Sequence, residues 1–420
     1  MNLLDELEYR ELLYQVTDRE GLAKRLAAGP ITLYIGFDPT ADSLHIGNLL
    51  QILLLRRFQL QGHHPIAVAG GGTGLVGDPS GKSNERKLNS EKVVEGYTRK
   101  MRPQLEQYLD FDSRENPARI VNNYEWLANL SLLPFLRDIG KHFPIGVMLA
   151  KDSVKSRLEE GISYTEFSYM IMQAYDYLQL NVEYQCELQA GGSDQWGNIT
   201  AGVDLIRRMK RETVYGLTQP LVTQTDGTKL GKTEKGTIWL DADMTSPYEF
   251  YQYWMNVDDR DVIRFLKYFT FLTKNQVTEL EQRFNEEPWK REAQQTLARE
   301  ITRLVHGPEA MNSAEQISQA LFYGKIADLD SDQLLQALND VPTYDLMSVE
   351  TIGLVELLTD AEIVTSKRRA REDINNGAIT VNDIRVKDEN KILGLVDRIA
   401  GNYLVIRRGK TNYFLVRWQI

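Results

Sequence analysis

The chain has 420 residues, of which 42% are hydrophobic and 26% are charged, with a mean hydropathy of −0.38. This length exceeds one ordinary domain and predicts two or three units, each with its own core. The composition excludes a disordered chain, and no apolar run approaches the length of a membrane span, so we expect no membrane partner.

Cysteine usage and charge narrow the class of protein further. Cys186 is the single cysteine, which excludes an internal disulfide, and five scattered histidines offer no spacing for a zinc site. The first residues lack the basic flank of a secretory signal, so we expect a cytoplasmic protein. The formal net charge is −10, but residues 366–420 hold 12 Lys and Arg against 6 Asp and Glu. This asymmetry indicates a polyanionic partner at the carboxyl-terminal end.

Short β-rich segments alternate with helical stretches from about residue 31. Apolar runs at 31–37, 65–72 and 182–192 are separated by longer helical patterns, which is typical of a parallel sheet with helices on its faces. The sequence therefore predicts an α/β fold, with a Rossmann-type parallel-sheet domain over residues 1–220.

The remainder of the chain divides into three regions. From Thr245 the helical period of 3.6 residues dominates, and we expect a lysine-containing loop and an α-helical domain over residues 221–325. Scattered Pro, Gly, Asp and Ser predict a linker at 326–351. The last region, 352–420, is predicted to be a small basic α+β domain.

A glycine-rich segment at 70–83 contains a G-x-G-x-x-G pattern at Gly72, Gly74 and Gly77. A dinucleotide cofactor would need this pattern at the first strand-to-helix turn, whereas here it follows a later strand. The segment is also one residue short of a phosphate-binding P-loop, whose geometry depends on its length. Both interpretations are rejected, and the glycines indicate close approach of the backbone to a ligand.

The segment 38–48 follows a predicted strand and opens a helix, with Asp42 or Ser43 as the expected cap. Backbone N–H groups and the helix dipole at such a junction favour an anion. A histidine at a helix start, such as His45, is more often structural. It coincides here with a second basic element far along the chain, Lys229-Leu-Gly-Lys-Thr233.

A further predicted helix presents polar groups on one face. A Ser-x-x-Glu capping box is predicted at 163–166, and Tyr169, Gln173 and Asp176 follow at i, i+4 and i+7. A buried helix face is normally apolar, so a phenol, an amide and a carboxylate indicate a polar ligand. The segment 189–198 then ends a predicted strand, which is where doubly wound sheets bind ligands.

Together these elements resemble a known family. His45-Ile-Gly-Asn48 and Lys229-Leu-Gly-Lys-Thr233 are similar to the H-I-G-H and K-M-S-K-S signatures of class I aminoacyl-tRNA synthetases. The segments 34–40, 169–176 and 189–198 resemble the tyrosyl-tRNA synthetase family, and the resemblance extends over nearly the whole chain. It implies activation of L-tyrosine with ATP, followed by transfer of tyrosine to the 3′ end of the tRNA for tyrosine.

The resemblance also implies residue roles. The residues implied in tyrosine binding are Tyr34 and Asp176 at the phenol, Asp78, Tyr169 and Gln173 at the ammonium, and Gln195 near the carboxylate. Those implied in ATP binding are Gly36, Asp38, Gly47, Gly192, Asp194 and Lys232. The groups assigned to catalysis at the phosphates are Thr40, His45, Asn48, Lys82, Arg86, Lys229, Lys232 and Thr233.

Partners follow from the same resemblance. It implies Mg²⁺ bound with the ATP phosphates, no zinc, a homodimer, and a carboxyl-terminal RNA-binding domain. The residues expected to contact tRNA there are Lys367, Arg368, Arg371, Arg407, Arg408 and Lys410. Lys151, Arg207 and Arg208 are further candidates for contacts to the acceptor stem.

Three positions depart from the family pattern. Asn48 stands where a second histidine is usual, Ile35 replaces a polar or small residue near the ribose, and Gln51 occupies a nearby helix position. Asparagine can still donate a hydrogen bond, whereas Ile35 cannot bond the ribose, so we expect altered ATP affinity.

Two alternatives stay open. A tryptophanyl-tRNA synthetase shares the architecture and the ATP motifs, but Tyr34 and Asp176 argue against it because an indole supplies only a donor. An RNA-binding protein with an inactive catalytic domain is the other alternative, which Asn48 and Ile35 suggest and the remaining basic residues oppose.

Overall fold

The computed structural model describes residues 2–80, 88–155, 157, 161–225, 227–228, 230–233, 236–347, 349–409 and 412–419. The chain divides into two compact units, one of residues 1–245 and 257–297 and the other of residues 246–256 and 298–420. The finer division into a catalytic domain, a helical domain, a linker and a basic domain stays a prediction. Among the described residues, no helix is long and apolar enough to cross a bilayer.

Strands of the first unit form a mostly parallel sheet. They are β1 (Gln15–Val16), β2 (Thr32–Phe37), β3 (His64–Ala69), β4 (Arg119–Asn122), β5 (Cys186–Gly192), β6 (Tyr215–Gln219), β7 (Lys232–Thr233) and β8 (Gly236–Thr237). The first six form the main sheet in the order β1-β6-β5-β2-β3-β4, where β1 alone among these described strands is antiparallel to its neighbour. Strands β7 and β8 form a separate antiparallel pair.

The strand order fixes where a ligand can bind. From β2 the chain runs outward through β3 to β4, and from β5 it runs outward to β6 on the other side. The direction of the connections therefore reverses between β2 and β5. Open α/β sheets bind ligands in the crevice at such a switch point, beyond the carboxyl ends of the strands.

Helices of the described residues cover both units. They are α1 (Leu3–Tyr9), α2 (Arg19–Ala27), α3 (Ile46–Leu60), α4 (Glu91–Glu106), α5 (Tyr124–Leu127), α6 (Leu132–Pro134), α7 (Ile145–Leu149), α8 (Asp152–Lys155), α9 (Tyr164–Tyr184), α10 (Trp196–Lys210), α11 (Pro247–Met255), α12 (Val262–Phe269), α13 (Lys274–Glu286), α14 (Glu292–Tyr323), α15 (Ser331–Ala337), α16 (Leu354–Asp360) and α17 (Lys367–Asn375). Gly307 interrupts α14 with a φ of 84°, and the following Pro308 has no N–H to continue the ladder.

The core of the first unit packs α9 and α10 against the sheet. Buried side chains of these elements meet there, among them Tyr34 and Val68 from the strands and Tyr177 from α9. Gly202 lets α10 approach α9 closely, since a Cβ at this position would lie 2.9 Å from the Tyr177 ring. This packing fixes α9, which carries three of the predicted site residues.

A buried arginine pair holds residues 257–297 to the amino-terminal helix. Arg10 donates to the carbonyls of Lys267 and Thr270 at 2.9 and 3.1 Å, and Arg57 donates to the Thr270 carbonyl at 2.7 Å. Burial lowers the pKa of Arg57 to about 9, and the neighbouring Arg10 adds to this shift. Backbone carbonyls at the end of α12, left without helical partners, are thus satisfied by side chains.

The second unit contains a five-stranded sheet. Its strands and those of a small two-stranded sheet are β9 (Thr343–Met347), β10 (Thr351–Gly353), β11 (Ile379–Val381), β12 (Ile384–Arg385), β13 (Ile392–Gly394), β14 (Tyr403–Arg408) and β15 (Asn412–Gln419). The larger sheet has the order β12-β11-β14-β15-β9.

Residues 326–351, for which the sequence suggested a linker, contain α15 and β9. Strand β9 pairs in parallel with β15, and Leu346 lies opposite Trp418 in the core. The strand is hard to recognise because Leu346 is the one buried residue among its five described positions.

Candidate active site

Predicted site residues converge at the carboxyl ends of β2 and β5. Strand β2 ends at Phe37 and leads directly to Asp38, while β5 ends at Gly192 before the turn Ser193–Gln195. Helix α9 passes beside this edge with Tyr169 and Asp176, both buried. The site therefore occupies the switch point of the sheet.

Asp38 anchors a hydrogen-bond network at the end of β2. Its Oδ2 accepts a bond from the Tyr169 hydroxyl at 2.8 Å, and its Oδ1 accepts one from Thr73 Oγ1 at 2.8 Å. A Cβ on Gly70 would lie 2.1 Å from Asp38 Oδ1, so a glycine is needed for this approach. Burial, assisted by the charge of Asp38, raises the pKa of Tyr169 well above its ordinary value, and the phenol stays a donor.

Asp176 lies at the other end of the same network. Its Oδ2 accepts from Asn123 Nδ2 at 2.9 Å and its Oδ1 from Trp126 Nε1 at 2.7 Å. Asn123 Nδ2 also donates to Thr73 Oγ1 at 2.9 Å, so bonds run without a break from Tyr169 to Trp126. Burial raises the pKa of Asp176 to about 7, although the two donated hydrogen bonds oppose the shift.

Tyr34 contributes a buried phenol beside this carboxylate. Its side chain is 2% exposed, and its hydroxyl has no hydrogen-bond partner among the described residues. Burial raises its pKa well above the ordinary value, and the charge of Asp176 adds to the shift. A buried hydroxyl without a partner is costly, so this group is suited to bond a ligand.

Asp78 and Gln195 form a second polar pair. Gln195 Nε2 donates to Asp78 Oδ2 at 2.6 Å, and the Ser80 N–H donates to Asp78 Oδ1 at 2.9 Å. Asn198 Nδ2 in turn donates to Gln195 Oε1 at 3.1 Å. The glycine-rich segment is thus joined to the turn after β5.

The helix start at His45 corrects one expectation. Helix α3 is capped by His45, with Nδ1 accepting the Gly47 N–H at 3.0 Å and Asn48 Oδ1 accepting the His45 N–H at 3.1 Å. The expected cap at Asp42 or Ser43 is wrong. Ser43 Oγ instead donates to the Leu44 carbonyl at 2.7 Å, residues 41–43 form a bend, and the backbone of His45 is extended.

The second basic element lies against this helix start. The Ile46 N–H donates to the Ile238 carbonyl at 3.3 Å, and the Ile238 N–H donates to the Gly231 carbonyl at 2.9 Å. Gly231 has a φ of +80°, and a Cβ on it would meet Ile46 at 2.5 Å. The structure therefore brings the exposed Lys232 to the same part of the first unit as His45.

Four predicted catalytic groups have no described side chain. Lys82, Arg86 and Lys229 lie outside the described residues, and Thr233 is described only as part of β7. Their roles stay predictions.

Other predicted residues are placed around the same edge. Thr40 is exposed and lines a cleft together with Asp38, His45 and Asn48. Gly36 is exposed in β2, and Gln173 is half-buried on α9. The remaining two are Gly192 and Asp194 at the end of β5, where a Cβ on Gly192 would lie 2.7 Å from Asp194 Oδ1.

Two of the departures from the family pattern also lie here. Ile35 is 1% exposed in β2 and offers no polar side-chain group. Gln51 Nε2 would lie 3.6 Å from a Cβ on Gly192, which places its amide next to the end of β5.

The predicted tRNA contacts of the second unit fall into two groups. Arg368 and Arg371 are exposed on α17, and neither has an ion-pair or hydrogen-bond partner among the residues that the structure describes. Arg408 instead donates to Asp373 at 2.8 Å and to the Ile363 carbonyl at 3.0 Å, and Arg407 donates to the Tyr413 hydroxyl at 3.4 Å.

The remaining candidates for tRNA contact vary in their surroundings. Lys367 pairs with Glu356 at 3.4 Å, and Lys410 lies outside the described residues. In the first unit, Lys151 donates to Thr200 at 2.8 Å, Arg207 pairs with Asp204 at 2.7 Å, and Arg208 is exposed.

Sequence reasoning missed Thr73, Asn123 and Trp126. Each bonds Asp38 or Asp176, so they shape the pocket as directly as the predicted residues do. A signal existed for Asn123, because it follows β4, whose carboxyl end lies at the same edge of the sheet.

Comparisons with known proteins agree with this geometry. The tyrosine–tRNA ligase of Bacillus caldotenax is 57% identical over 419 residues, which covers 100% of both chains. The chain belongs to the tyrosine–tRNA ligase family. A member from Bacillus subtilis is 55% identical over 420 residues, again with full coverage of both chains.

Family models and solved structures place this family within class I. The model of class I tRNA synthetases (W and Y) matches residues 26–323, and that of the tyrosine–tRNA ligase SYY-like C-terminal domain matches residues 333–416. A C-terminally truncated mitochondrial tyrosyl-tRNA synthetase of Aspergillus nidulans has a TM-score of 0.69 and 32% identity, covering 76% of this chain and 94% of its own. The predicted family and fold class are confirmed.

A tryptophanyl-tRNA synthetase of Encephalitozoon cuniculi is also similar, with a TM-score of 0.54 and coverage of 79% of this chain and 90% of its own. Its identity is only 13%, so this likeness shows a shared fold alone.

Proposed function

We propose that this site activates L-tyrosine with ATP and then transfers the tyrosyl group to the 3′ end of the tRNA for tyrosine. In the first step, a carboxylate oxygen of tyrosine bonds to the α-phosphorus of ATP, and the bond to the β-phosphate breaks to release pyrophosphate. In the second, a ribose hydroxyl of the tRNA attacks the tyrosyl carbonyl carbon and AMP leaves. Neither step needs a nucleophilic side chain.

One observation carries the choice of amino acid. The buried Asp176 carboxylate lies in one pocket with the Tyr34 hydroxyl, which has no hydrogen-bond partner among the described residues. A tyrosine phenol would donate to the carboxylate and accept from Tyr34. Phenylalanine would leave both groups without a ligand partner in a buried site, which is costly. The pocket therefore favours the amino acid that carries the hydroxyl.

The other end of the substrate would meet acidic and amide groups. Asp78, Tyr169 and Gln173 are proposed to hold the ammonium, and Gln195 to lie near the carboxylate. The bond from Gln195 to Asp78 supports this, because it ties the two groups into one surface.

At the phosphates, catalysis would be positioning and electrostatic stabilisation. The proposed donors are the backbone at the start of α3, His45, Asn48 and Lys232, together with the predicted lysines and arginine that lie outside the described residues. Among the described residues, no group of three or more His, Cys, Asp or Glu side chains could hold a metal. Mg²⁺ is proposed to bind with the ATP phosphates, and no step is assigned to it.

Transfer requires a surface for the tRNA. We propose Arg368 and Arg371 as phosphate contacts, because both are exposed on α17 and have room to reach an external anion. Arg407 and Arg408 are proposed to act less directly, since both bond within their own unit. Contacts to phosphate depend strongly on salt, which distinguishes them from structural ion pairs.

A homodimer in the cytoplasm is also proposed. Large apolar side chains of residues 132–164 are exposed, namely Leu132, Leu133, Leu136, Ile145, Val147 and Tyr164. Several large exposed apolar side chains within one stretch of the sequence support a protein interface there. A sedimentation experiment should give twice the chain mass, and Leu133→Asp should shift the protein to the monomer.

The function is tested by ATP–pyrophosphate exchange with tyrosine, phenylalanine and tryptophan in parallel. Exchange with tyrosine alone supports the proposal, and exchange with tryptophan favours the alternative synthetase. Absence of exchange with all three would leave an RNA-binding protein with an inactive site as the better account.

A further inference from the structure

A buried ion pair lies next to the tyrosine site. Arg157 Nη2 lies 3.0 Å from Glu166 Oε2, and the two side chains are 4% and 1% exposed. Arg157 Nη2 also donates to the Gly161 carbonyl at 3.2 Å. None of the roles proposed above uses either residue.

The ion pair is attached to the helix that binds tyrosine. Glu166 lies in the first turn of α9, one turn before Tyr169. The sequence predicted a capping box here, but only half of it forms. Ser163 Oγ accepts the Glu166 N–H at 3.3 Å, whereas the Glu166 carboxylate turns to Arg157 instead of the Ser163 backbone.

Arg157 belongs to a segment that is held from two further sides. Val154 packs in the core with Met170 of α9, and Lys151 donates to Thr200 of α10 at 2.8 Å. These contacts of Lys151 and Val154 restrict the movement of the nearby Arg157. The ion pair connects this anchored segment to the first turn of α9.

The pair is poorly built for stability alone. Nε and Nη1 of Arg157 and Oε1 of Glu166 are buried and have no hydrogen-bond partner among the described residues. Buried ion pairs with unsatisfied atoms contribute little net stability compared with apolar side chains of similar volume. Because the pair adds little to the stability of the fold, we look for its role in the orientation of α9.

We propose that Arg157 is a positioning residue for tyrosine binding. Through Glu166 it sets the position of the first turn of α9, and so holds the Tyr169 hydroxyl 2.8 Å from Asp38 Oδ2. The inference rests on the proposed function, because it assigns α9 to tyrosine. Small displacements of binding groups have large effects on affinity.

The test uses three variants and a control. Arg157→Met and Glu166→Met each remove one partner and the hydrogen bond between them, and Arg157→Met/Glu166→Met replaces the whole pair with apolar side chains. Arg99→Met removes an exposed partner of Glu95 on α4 and serves as the control. The measurements are the Kd for tyrosine by calorimetry, the KM for ATP in pyrophosphate exchange, and Tm.

We expect each single variant to raise the Kd for tyrosine roughly tenfold and to leave the KM for ATP unchanged. The double variant should recover Tm but keep the weak tyrosine affinity, and the control should match the wild type. A normal tyrosine Kd in Arg157→Met or Glu166→Met, or its recovery in the double variant, overturns the inference. A wild-type protein that binds no tyrosine overturns the proposed function itself, which is a different result.

Discussion

The two ends of the site in the first unit are built differently. At the tyrosine end, side chains hold one another in a network from Tyr169 through Asp38, Thr73 and Asn123 to Asp176. At the proposed phosphate end, backbone groups bond one another, such as the Ile46 N–H with the Ile238 carbonyl, and His45 and Asn48 bond backbone N–H groups in the cap of α3. The Lys232 side chain is exposed.

This difference follows from the two tasks. Recognition of a phenol needs buried groups whose positions are fixed before the ligand binds. If one hydrogen bond in such a site is not formed, a buried polar atom is left without a partner. Stabilisation of phosphate charge needs cations and N–H groups, which act over longer distances. Four variants or conditions can separate the two ends.

The largest effect is expected for Asp176→Ala. It removes the charged acceptor of the phenol and leaves the O–H of the bound substrate buried without that partner, together worth ~4 kcal/mol. We expect kcat/KM for tyrosine in pyrophosphate exchange to fall about 1000-fold. Asp204→Asn, an exposed carboxylate on α10, is the matched control. A loss below tenfold would mean that the network does not recognise the phenol.

Lys232→Ala should impair catalysis at the ATP phosphates without affecting tyrosine binding. Removing a cation that stabilises developing charge lowers kcat by about 100-fold. The Kd for tyrosine, measured by calorimetry without ATP, should stay unchanged. Lys24→Ala, exposed on α2, controls for loss of surface charge. If Lys232→Ala weakened tyrosine binding as well, the two ends would not be separable.

Tyrosine affinity should depend on pH through Asp176. Its pKa of about 7 means that the carboxylate is mostly protonated at pH 6 and ionised at pH 8. The ionised form is the better acceptor, so the Kd should be about tenfold lower at pH 8 than at pH 6. Asp176→Asn should abolish the dependence, and a flat profile in the wild type would contradict it.

Asp176 also makes the free energy of unfolding depend on pH, but this free energy falls with rising pH whereas tyrosine affinity increases. Its folded pKa lies above the unfolded value of ~3.9, so between about pH 4 and 7 the native state binds more protons than the unfolded state. The free energy of unfolding contributed by Asp176 therefore falls as pH rises through this window. Asp176→Asn should remove this loss, which urea unfolding at pH 5 and pH 8 would detect.

The smallest effect is expected for Asn48→Ala. Its side chain accepts the His45 N–H in the cap of α3, and loss of such a cap costs ~1 kcal/mol of unfolding free energy. Urea unfolding measures this directly, with Asn129→Ala as the control for an exposed side-chain bond. A much larger fall in kcat than in stability would show that Asn48 contacts ATP.

The elements that carry the proposed tyrosine-binding residues could be predicted from the sequence. Tyr169 and Asp176 share a helix, so their common face follows from helical spacing, and the end of β5 follows from strand pattern. Thr73 and Trp126 could not be found this way. Thr73 lies in a short 3-10 turn after β3 and Trp126 lies in α5 after β4, and their positions depend on how β3 and β4 pair in the sheet.

Local rules failed where tertiary contacts compete with them. Ser43 is a good capping residue, but its hydroxyl accepts the Asp241 N–H at 3.2 Å and the helix starts later. Glu166 follows Ser163 at the capping-box spacing, yet Arg157 takes its carboxylate. In both cases a partner that the local pattern does not include decides the geometry.

The hydroxyl of Tyr34 has no hydrogen-bond partner in the described part of the chain. It therefore lowers the stability of the fold, while its proposed role is to increase selectivity for tyrosine. A free enzyme with phenylalanine at this position would have one fewer buried polar group to desolvate, and would be easier to fold. Selection for thermal stability alone would therefore favour phenylalanine over tyrosine at position 34. If Tyr34 has the role proposed for it, the chain gives up stability in the free enzyme and gains selectivity for tyrosine in the complex.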